Sequence, residues 1–174
     1  EASFNVTFAG GGPEFFQGIV CKEGAVSDGL PRLALKVRGD DGRLHIEMFD
    51  GSGTARGVRS IDPIVPNQWY HAAVVNDGSD LALYLKAGGG DYHLQGMDVI
   101  QVGPDGEVLH FANSSWVIGR AQYYDHPADW TDGIIDEVRL STRALDESEF
   151  LYADPPKRGD FNGDDLVDSE DMLL

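Results

Sequence analysis

Short apolar–polar alternations, separated by glycine-rich turns, constrain the fold of this chain more than any other feature. Period two places successive side chains on opposite faces of a strand, with the apolar face toward a core. Turn sequences such as Gly39-Asp40-Asp41-Gly42 and Gly88-Gly89-Gly90 separate these segments, and no long helical period accompanies them. The alternating segments are residues 4–8, 33–37, 44–48, 69–76 and 81–86. The pattern predicts an all-β, two-sheet antiparallel sandwich or jelly roll.

The charge of the chain limits what it can bind. It has 174 residues, with 13 Lys and Arg against 30 Asp and Glu, a formal net charge of −17. A surface this acidic repels phosphate backbones, so we expect no nucleic-acid partner. No apolar run approaches the roughly 20 residues of a membrane-spanning helix, so we expect no membrane insertion. Cys21 is the one cysteine of the sequence, which excludes an internal disulfide.

A double proline divides the chain into two units. It lies within residues 154–159, which predict a linker because proline stops a helix. The linker separates a domain of residues 1–153 from a small acidic unit of residues 160–174. Just before it, Asp146 and Glu149 have the spacing of a capping box, which predicts a short helix.

Residues 160–171 have the oxygen spacing of a calcium-binding loop. Side-chain oxygens recur at the ligand positions of the EF-hand, in which Ca²⁺ takes roughly six to eight oxygen ligands. Two positions depart from that pattern: Asp165 replaces the glycine of the sharp turn, and Asp171 is shorter than the usual bidentate Glu. The predicted ligands of Ca²⁺ are Asp160, Asn162, Asp164, the carbonyl of Leu166, Asp168 and Asp171.

The same unit carries a family resemblance. Residues 159–164, Gly-Asp-Phe-Asn-Gly-Asp, and 168–174, Asp-Ser-Glu-Asp-Met-Leu-Leu, resemble the first repeat of a type I dockerin. The resemblance implies calcium binding within a small EF-hand-like unit. Two such repeats dock onto cohesin modules in that family, so a cohesin-type partner is expected only if a second repeat exists beyond this chain. The alternative is a solvated acidic tail.

Three stretches of the larger unit carry a second resemblance: residues 67–75, Asn-Gln-Trp-Tyr-His-Ala-Ala-Val-Val, residues 117–120, Val-Ile-Gly-Arg, and residues 130–140 with their Gly-Ile-Ile-Asp-Glu-Val-Arg-Leu ending. With these stretches the unit resembles the laminin-G-like domains of the concanavalin A-like lectin/glucanase superfamily. It implies a concanavalin A-like jelly roll of two antiparallel sheets. That family has one or two strands ahead of the segment 4–8, so we expect the domain to be N-terminally incomplete.

Asp136 is a candidate for a second calcium site or for a structural role. Alternation along its predicted strand puts Asp136 on one face with Ile134, Val138 and Leu140, which predicts an inward-pointing carboxylate. A buried carboxylate needs hydrogen bonds or a cation, and both alternatives remain open. The resemblance adds that an acidic pair at this position sometimes shares calcium in the family.

The aromatic loop Tyr123, Tyr124, Asp125 and His126 is the candidate ligand site. Sugar C–H faces stack on aromatic rings, while Asp and His side chains bind hydroxyl groups. The alternative is that one tyrosine packs on the rim and the other residues are solvated. By pattern we place Trp130 in the core.

Paired catalytic carboxylates are not expected. Glu47 and Asp50 are the nearest pair on a predicted strand, but three residues of separation point them to opposite faces. Trp69 and His71 are interpreted as core or rim residues. We therefore expect no enzyme but a secreted or cell-surface recognition module, carbohydrate-binding or adhesive, with a calcium-binding dockerin-like tail. A structural spacer is the alternative, and a glycoside hydrolase the distant one.

Overall fold

The computed structural model describes residues 1–12, 15–24, 32–106, 115–124 and 126–152. Within these ranges the chain forms twelve β-strands and one 3₁₀ turn, Glu147–Glu149. The strands are β1 (Ala2–Val6), β2 (Gln17–Lys22), β3 (Leu33–Val37), β4 (Arg43–Phe49), β5 (Ala55–Pro63), β6 (Tyr70–Asn76), β7 (Asp80–Ala87), β8 (His93–Val99), β9 (Trp116–Ile118), β10 (Ala121–Tyr123), β11 (His126–Ala128) and β12 (Gly133–Asp136).

Ten of these strands form two antiparallel sheets. Sheet 1 has the order β12-β1-β6-β7-β8, sheet 2 has the order β5-β4-β3-β2-β9, and β10 pairs with β11 in a separate hairpin. β1 lies between β6 and β12, so that Phe4 is opposite Tyr70 on one side and Ile135 on the other. The predicted all-β antiparallel architecture is confirmed, and the two sheets are consistent with a jelly-roll sandwich.

The apolar residues of the predicted alternation fill the space between the sheets. Phe4, Ile46 and Leu83 are fully buried, and the Phe4 ring stacks on Tyr70 with centroids 5.8 Å apart. Burial of one such side chain contributes about 1.5–3 kcal/mol. The other members of this core that belong to the predicted segments include Val6, Leu35, Val37, Leu44, Met48, Leu81 and Leu85.

The segment after β12 crosses the outer face of sheet 1. Phe150 is buried there against Ala73, and its ring makes edge contacts with Tyr84 and Tyr92 at centroid distances of 5.2 and 5.1 Å. The hydroxyl of Tyr92 donates a hydrogen bond to the carbonyl of Leu151 at 2.6 Å. Sheet 1 therefore has apolar contacts on both faces.

The helix predicted ahead of the linker is a single 3₁₀ turn, and the described residues contain no α-helix. Glu149 does reach back to Asp146, whose main-chain N–H donates to Oε2 at 3.0 Å. Phe150 then returns to an extended conformation, with φ −64° and ψ 153°. The predicted short helix does not form beyond this one turn, because Phe150 is held on sheet 1 by its aromatic contacts.

A buried carboxylate closes the turn between β4 and β5. Asp50 is fully buried and accepts hydrogen bonds from the main-chain N–H groups of Ser52, Thr54 and Gln101, each at 3.0 Å, and from Arg56 Nε at 2.8 Å. Burial acts to raise the pKa of Asp50, but these hydrogen bonds outweigh it and hold the pKa well below its usual range. The carboxylate thereby ties the turn to the segment after β8.

Replacing Asp50 by Asn should lower the free energy of unfolding by about 3 kcal/mol, because the buried donors and Arg56 lose a charged acceptor. Urea unfolding of this variant and of the exposed control Asp91→Asn measures the difference. The folded-state pKa is depressed, so the contribution of Asp50 is present above its unfolded pKa of about 3.9 and lost as the pH falls below it. An equal stability of variant and wild type at pH 7 would contradict this role.

Candidate functional site

The predicted aromatic loop is the turn of the hairpin formed by β10 and β11. Tyr123 is opposite His126, and Tyr124 begins the turn with a positive φ of 46°. Asp125, the fourth residue of the prediction, lies outside the described residues. We call the described residues 120–124 and 126–130 the aromatic hairpin.

Close backbone contact fixes the aromatic hairpin to sheet 2. Ala121 is buried against Cys21 and Ala34 on the outer face of that sheet. The main-chain N–H of Gly18 donates to the carbonyl of Asp129 at 2.7 Å. A Cβ on Gly18 would lie 2.5 Å from the carbonyl carbon of Arg120, so only glycine leaves room for the hairpin.

Two tyrosines stand exposed at the tip of the aromatic hairpin. Tyr123 is 53% exposed and Tyr124 57%, and their rings meet edge to face with centroids 4.5 Å apart. The proximity of Tyr124 raises the pKa of Tyr123, so the Tyr123 hydroxyl is neutral at physiological pH and can both donate and accept hydrogen bonds. His126 is exposed beside them.

Trp130 lies at the base of the aromatic hairpin, and the prediction that it belongs to the core is wrong. Its side chain is 65% exposed, with the Arg120 guanidinium 5.9 Å from the ring centroid. The hydroxyl of the next residue, Thr131, donates to the carbonyl of Gly18 at 2.7 Å, so Thr131 is the residue that faces the sheet. Asp129 before it has a positive φ of 54°, a change of direction that alternation does not predict.

Trp69 and His71 lie away from the aromatic hairpin, as core or rim residues. Trp69 is partly exposed just before β6. His71 Nδ1 is 2.7 Å from the hydroxyl of Ser3, and its ring packs on Tyr152 at 4.4 Å. Burial, with a smaller effect of the Lys86 charge, lowers the pKa of His71. Their interpretation as core or rim residues is consistent with these contacts.

Asp136 does not point inward, contrary to the prediction. Ile135 is opposite Phe4 and packs against the core, so Ile134 and Asp136 face outward and are exposed. The Asp136 carboxylate accepts a hydrogen bond from the main-chain N–H of Glu137 at 2.9 Å. A cation was expected at Asp136 because its carboxylate was predicted to point inward, and that reason therefore does not hold.

The predicted EF-hand ligands, Asp160 to Asp171, lie outside the residues that the structure describes, and calcium binding there stays a prediction. In the described part of the chain, no three His, Cys, Asp or Glu side chains are grouped so that they could hold a metal ion.

Sequence reasoning missed a polar cluster on the outer face of sheet 2. Lys36 is opposite His45 in the pairing of β3 with β4, and its ammonium group contacts Glu47 Oε2 at 3.0 Å. Burial lowers the pKa of His45 to about 4, so its ring is neutral at physiological pH. Within the described residues its buried Nδ1 makes no hydrogen bond. The signal was present in the sequence, since these residues alternate with the core residues Leu35 and Ile46.

An apolar cavity of about 390 Å³ lies at one end of the sandwich. Leu35, Met48 and Leu81 contribute walls from both sheets. Two arginines also line the cavity, and both are in ion pairs. Arg139 is paired with Glu1, and Arg143 is paired with Glu149, which does not line the cavity. We place the candidate site on the aromatic hairpin, because exposed aromatic rings and hydroxyl groups lie together there.

The two antiparallel sheets and the hairpin on their outer surface define a jelly-roll domain. The model of the family Laminin_G_3, described as concanavalin A-like lectin/glucanases superfamily, matches residues 8–150. This range covers most of the chain, and the chain belongs to that family. None of the curated proteins compared with the chain matches it. In the described residues no helix is long and apolar enough to span a membrane.

Gly18→Ala should displace the aromatic hairpin, because the new methyl group would overlap main-chain atoms of Arg120 and Ala121. We expect a loss of about 1–3 kcal/mol in the free energy of unfolding, measured by urea denaturation. Gly89→Ala is the control, since a Cβ there meets nothing within 4 Å. Equal stability of the two variants would show that the close contact at Gly18 is unimportant.

Proposed function

We propose that this chain is a non-catalytic extracellular recognition module that binds a polysaccharide or another glycan through the aromatic hairpin. The observation that carries the proposal is the exposure of Tyr123, Tyr124 and Trp130 on a hairpin whose backbone is fixed to sheet 2. Exposed rings on a fixed backbone lose little conformational freedom on binding, which favours affinity. Membership of a lectin and glucanase superfamily supports a carbohydrate ligand.

The chemistry of the aromatic hairpin suits sugars. Aromatic faces attract the C–H groups of a sugar ring, and the tyrosine hydroxyls and the His126 imidazole can exchange hydrogen bonds with hydroxyl groups. Arg120 contacts the Trp130 ring and is held by Glu23 at 2.6 Å, which restrains the ring before a ligand arrives. Hydrolysis would need a pair of carboxylates that can reach the ligand. Glu47 is instead paired with Lys36, and Asp50 is buried in a turn, which supports binding without hydrolysis.

Trp130→Ala and Tyr124→Ala should each weaken glycan binding about fivefold, because the loss of one stacked ring costs about 1 kcal/mol. Retained glycans would be found with a polysaccharide panel, and their affinities measured by calorimetry. Trp69→Ala, which removes a partly exposed tryptophan next to sheet 1, is the matched control.

The result would contradict the proposal if Trp69→Ala weakened binding as much as the two hairpin variants. Retention of no glycan by the folded wild-type chain would favour the structural spacer instead. Hydrolysis of a retained glycan, abolished by one carboxylate substitution, would favour a glycoside hydrolase.

The acidic C-terminal unit we propose to be a dockerin-like calcium-binding tail, which suits a secreted or cell-surface protein. Its support is the EF-hand spacing of Asp160, Asn162, Asp164, Asp168 and Asp171. A single repeat supplies calcium binding, whereas a cohesin-type partner requires a second repeat beyond this chain.

Asp160→Ala combined with Asp164→Ala should abolish calcium binding measured by calorimetry, because two of the five side-chain ligands are removed. Asp91→Ala combined with Asp105→Ala, which removes two exposed acids of the sandwich, is the control for the change in net charge. Calcium affinity that survives the double substitution would contradict the assignment. Comparing glycan retention in millimolar calcium and in excess chelator then separates a structural ion from one that takes part in binding.

A further inference from the structure

Two cations, one in the aromatic hairpin and one on the sheet that carries it, are paired with carboxylates of the chain itself. Arg120, at its base, lies 2.6 Å from Glu23 Oε1, and both side chains are partly buried. Lys36, on the outer face of the same sheet, lies 3.0 Å from Glu47 Oε2. These pairs neutralise the cations on which an anionic ligand would depend.

Other cations of sheet 2 are also engaged by acceptors of the chain itself. Arg43 donates to the main-chain carbonyls of Ser60 and Ile61. Further ion pairs on this sheet and its turns are Arg38–Asp40, Arg38–Asp41, Arg56–Asp50 and Arg59–Asp41.

An anionic sugar would have to break these pairs. A ligand sulfate or carboxylate that took Arg120 would leave Glu23 partly buried without its partner, which costs free energy. The net charge of −17 also repels polyanions, over the Debye length of about 8–10 Å in physiological salt. An uncharged ligand avoids both costs.

We infer that the ligand of the aromatic hairpin is an uncharged glycan. The inference rests on the proposed function and adds to it the charge class of the ligand. Uncharged glycans bind through stacking and through hydrogen bonds to hydroxyl groups, and the aromatic hairpin offers both without a free cation.

The geometry of the aromatic hairpin also favours an oligosaccharide over a single sugar. Arg120 and Tyr123 are three residues apart, about 10 Å along an extended strand. The Trp130 ring lies beside Arg120 at one end, and the two tyrosines lie at the other. A ligand that contacts both ends spans more than one sugar ring.

The first test compares glycans of matched backbone and different charge. A broad panel of neutral polysaccharides is extended by three pairs, each of one neutral and one anionic polymer. The pairs are hydroxyethylcellulose and carboxymethylcellulose, dextran and dextran sulfate, and methyl-esterified and free polygalacturonate. We expect retention by neutral members alone, with affinities that change less than about twofold between 20 and 500 mM NaCl. Preferred retention by anionic members, lost steeply with salt, would overturn the inference and leave glycan binding standing. Retention by no member would remove the proposed function and the inference together.

The second test releases a cation beside Trp130. Glu23→Gln removes the partner of Arg120, and we expect a gain of about two- to fivefold in retention of anionic glycans at low salt. Glu149→Gln, which frees Arg143 away from the aromatic hairpin, is the control for net charge. An equal gain in both variants, or none in Glu23→Gln, would overturn the role of the Arg120–Glu23 pair in setting ligand charge.

Discussion

Strand β1 joins two parts of the chain that are far apart in the sequence. It pairs with β6 on one side and with β12 on the other, and β12 belongs to sheet 1 only through this contact. Gly133 makes the approach possible, since a Cβ there would lie 2.1 Å from the carbonyl oxygen of Asn5. The aromatic hairpin leads into β12, and the segment that carries Phe150 leaves it. Both depend on the position of β1, which the burial of Phe4 against Tyr70 secures.

The candidate site depends on a second close approach, in sheet 2. Gly18 lets the backbone of Arg120 and Ala121 lie directly on β2, and a hydrogen bond from Thr131 to the Gly18 carbonyl fixes the return of the chain. Such contacts position a short hairpin without a large apolar area of its own. The rings it carries can therefore stay exposed, because the backbone contacts and not the burial of these rings hold the hairpin in place.

Much of the fold could be predicted, because a strand in which apolar and polar residues alternate has only one face that can turn toward the core. Leu33, Leu35 and Val37 leave no second choice of inner face. Alternation does not identify the inner face of β12, because Ile134 and Ile135 are adjacent and either could face the core. Only the register with β1 selects Ile135. Alternation alone therefore puts Asp136 on the wrong face. Trp130 is wrongly predicted for another reason: the positive φ of Asp129 changes the direction of the chain, and no glycine in the sequence marks this change.

The distribution of charge explains why net charge alone is a poor guide to the ligand. Residues 146–174 hold ten acids against two bases, so much of the surplus lies in and near the predicted calcium unit, where a divalent cation would offset part of it. On sheet 2, by contrast, acids and bases are interleaved at contact distance, as in Lys36–Glu47 and Arg120–Glu23. A ligand that binds on the aromatic hairpin meets these local pairs directly, whereas the net charge acts on it only through a longer-range repulsion that salt weakens. In the function proposed above, the paired face therefore adds a local cost for an anionic ligand that the net charge alone would not reveal.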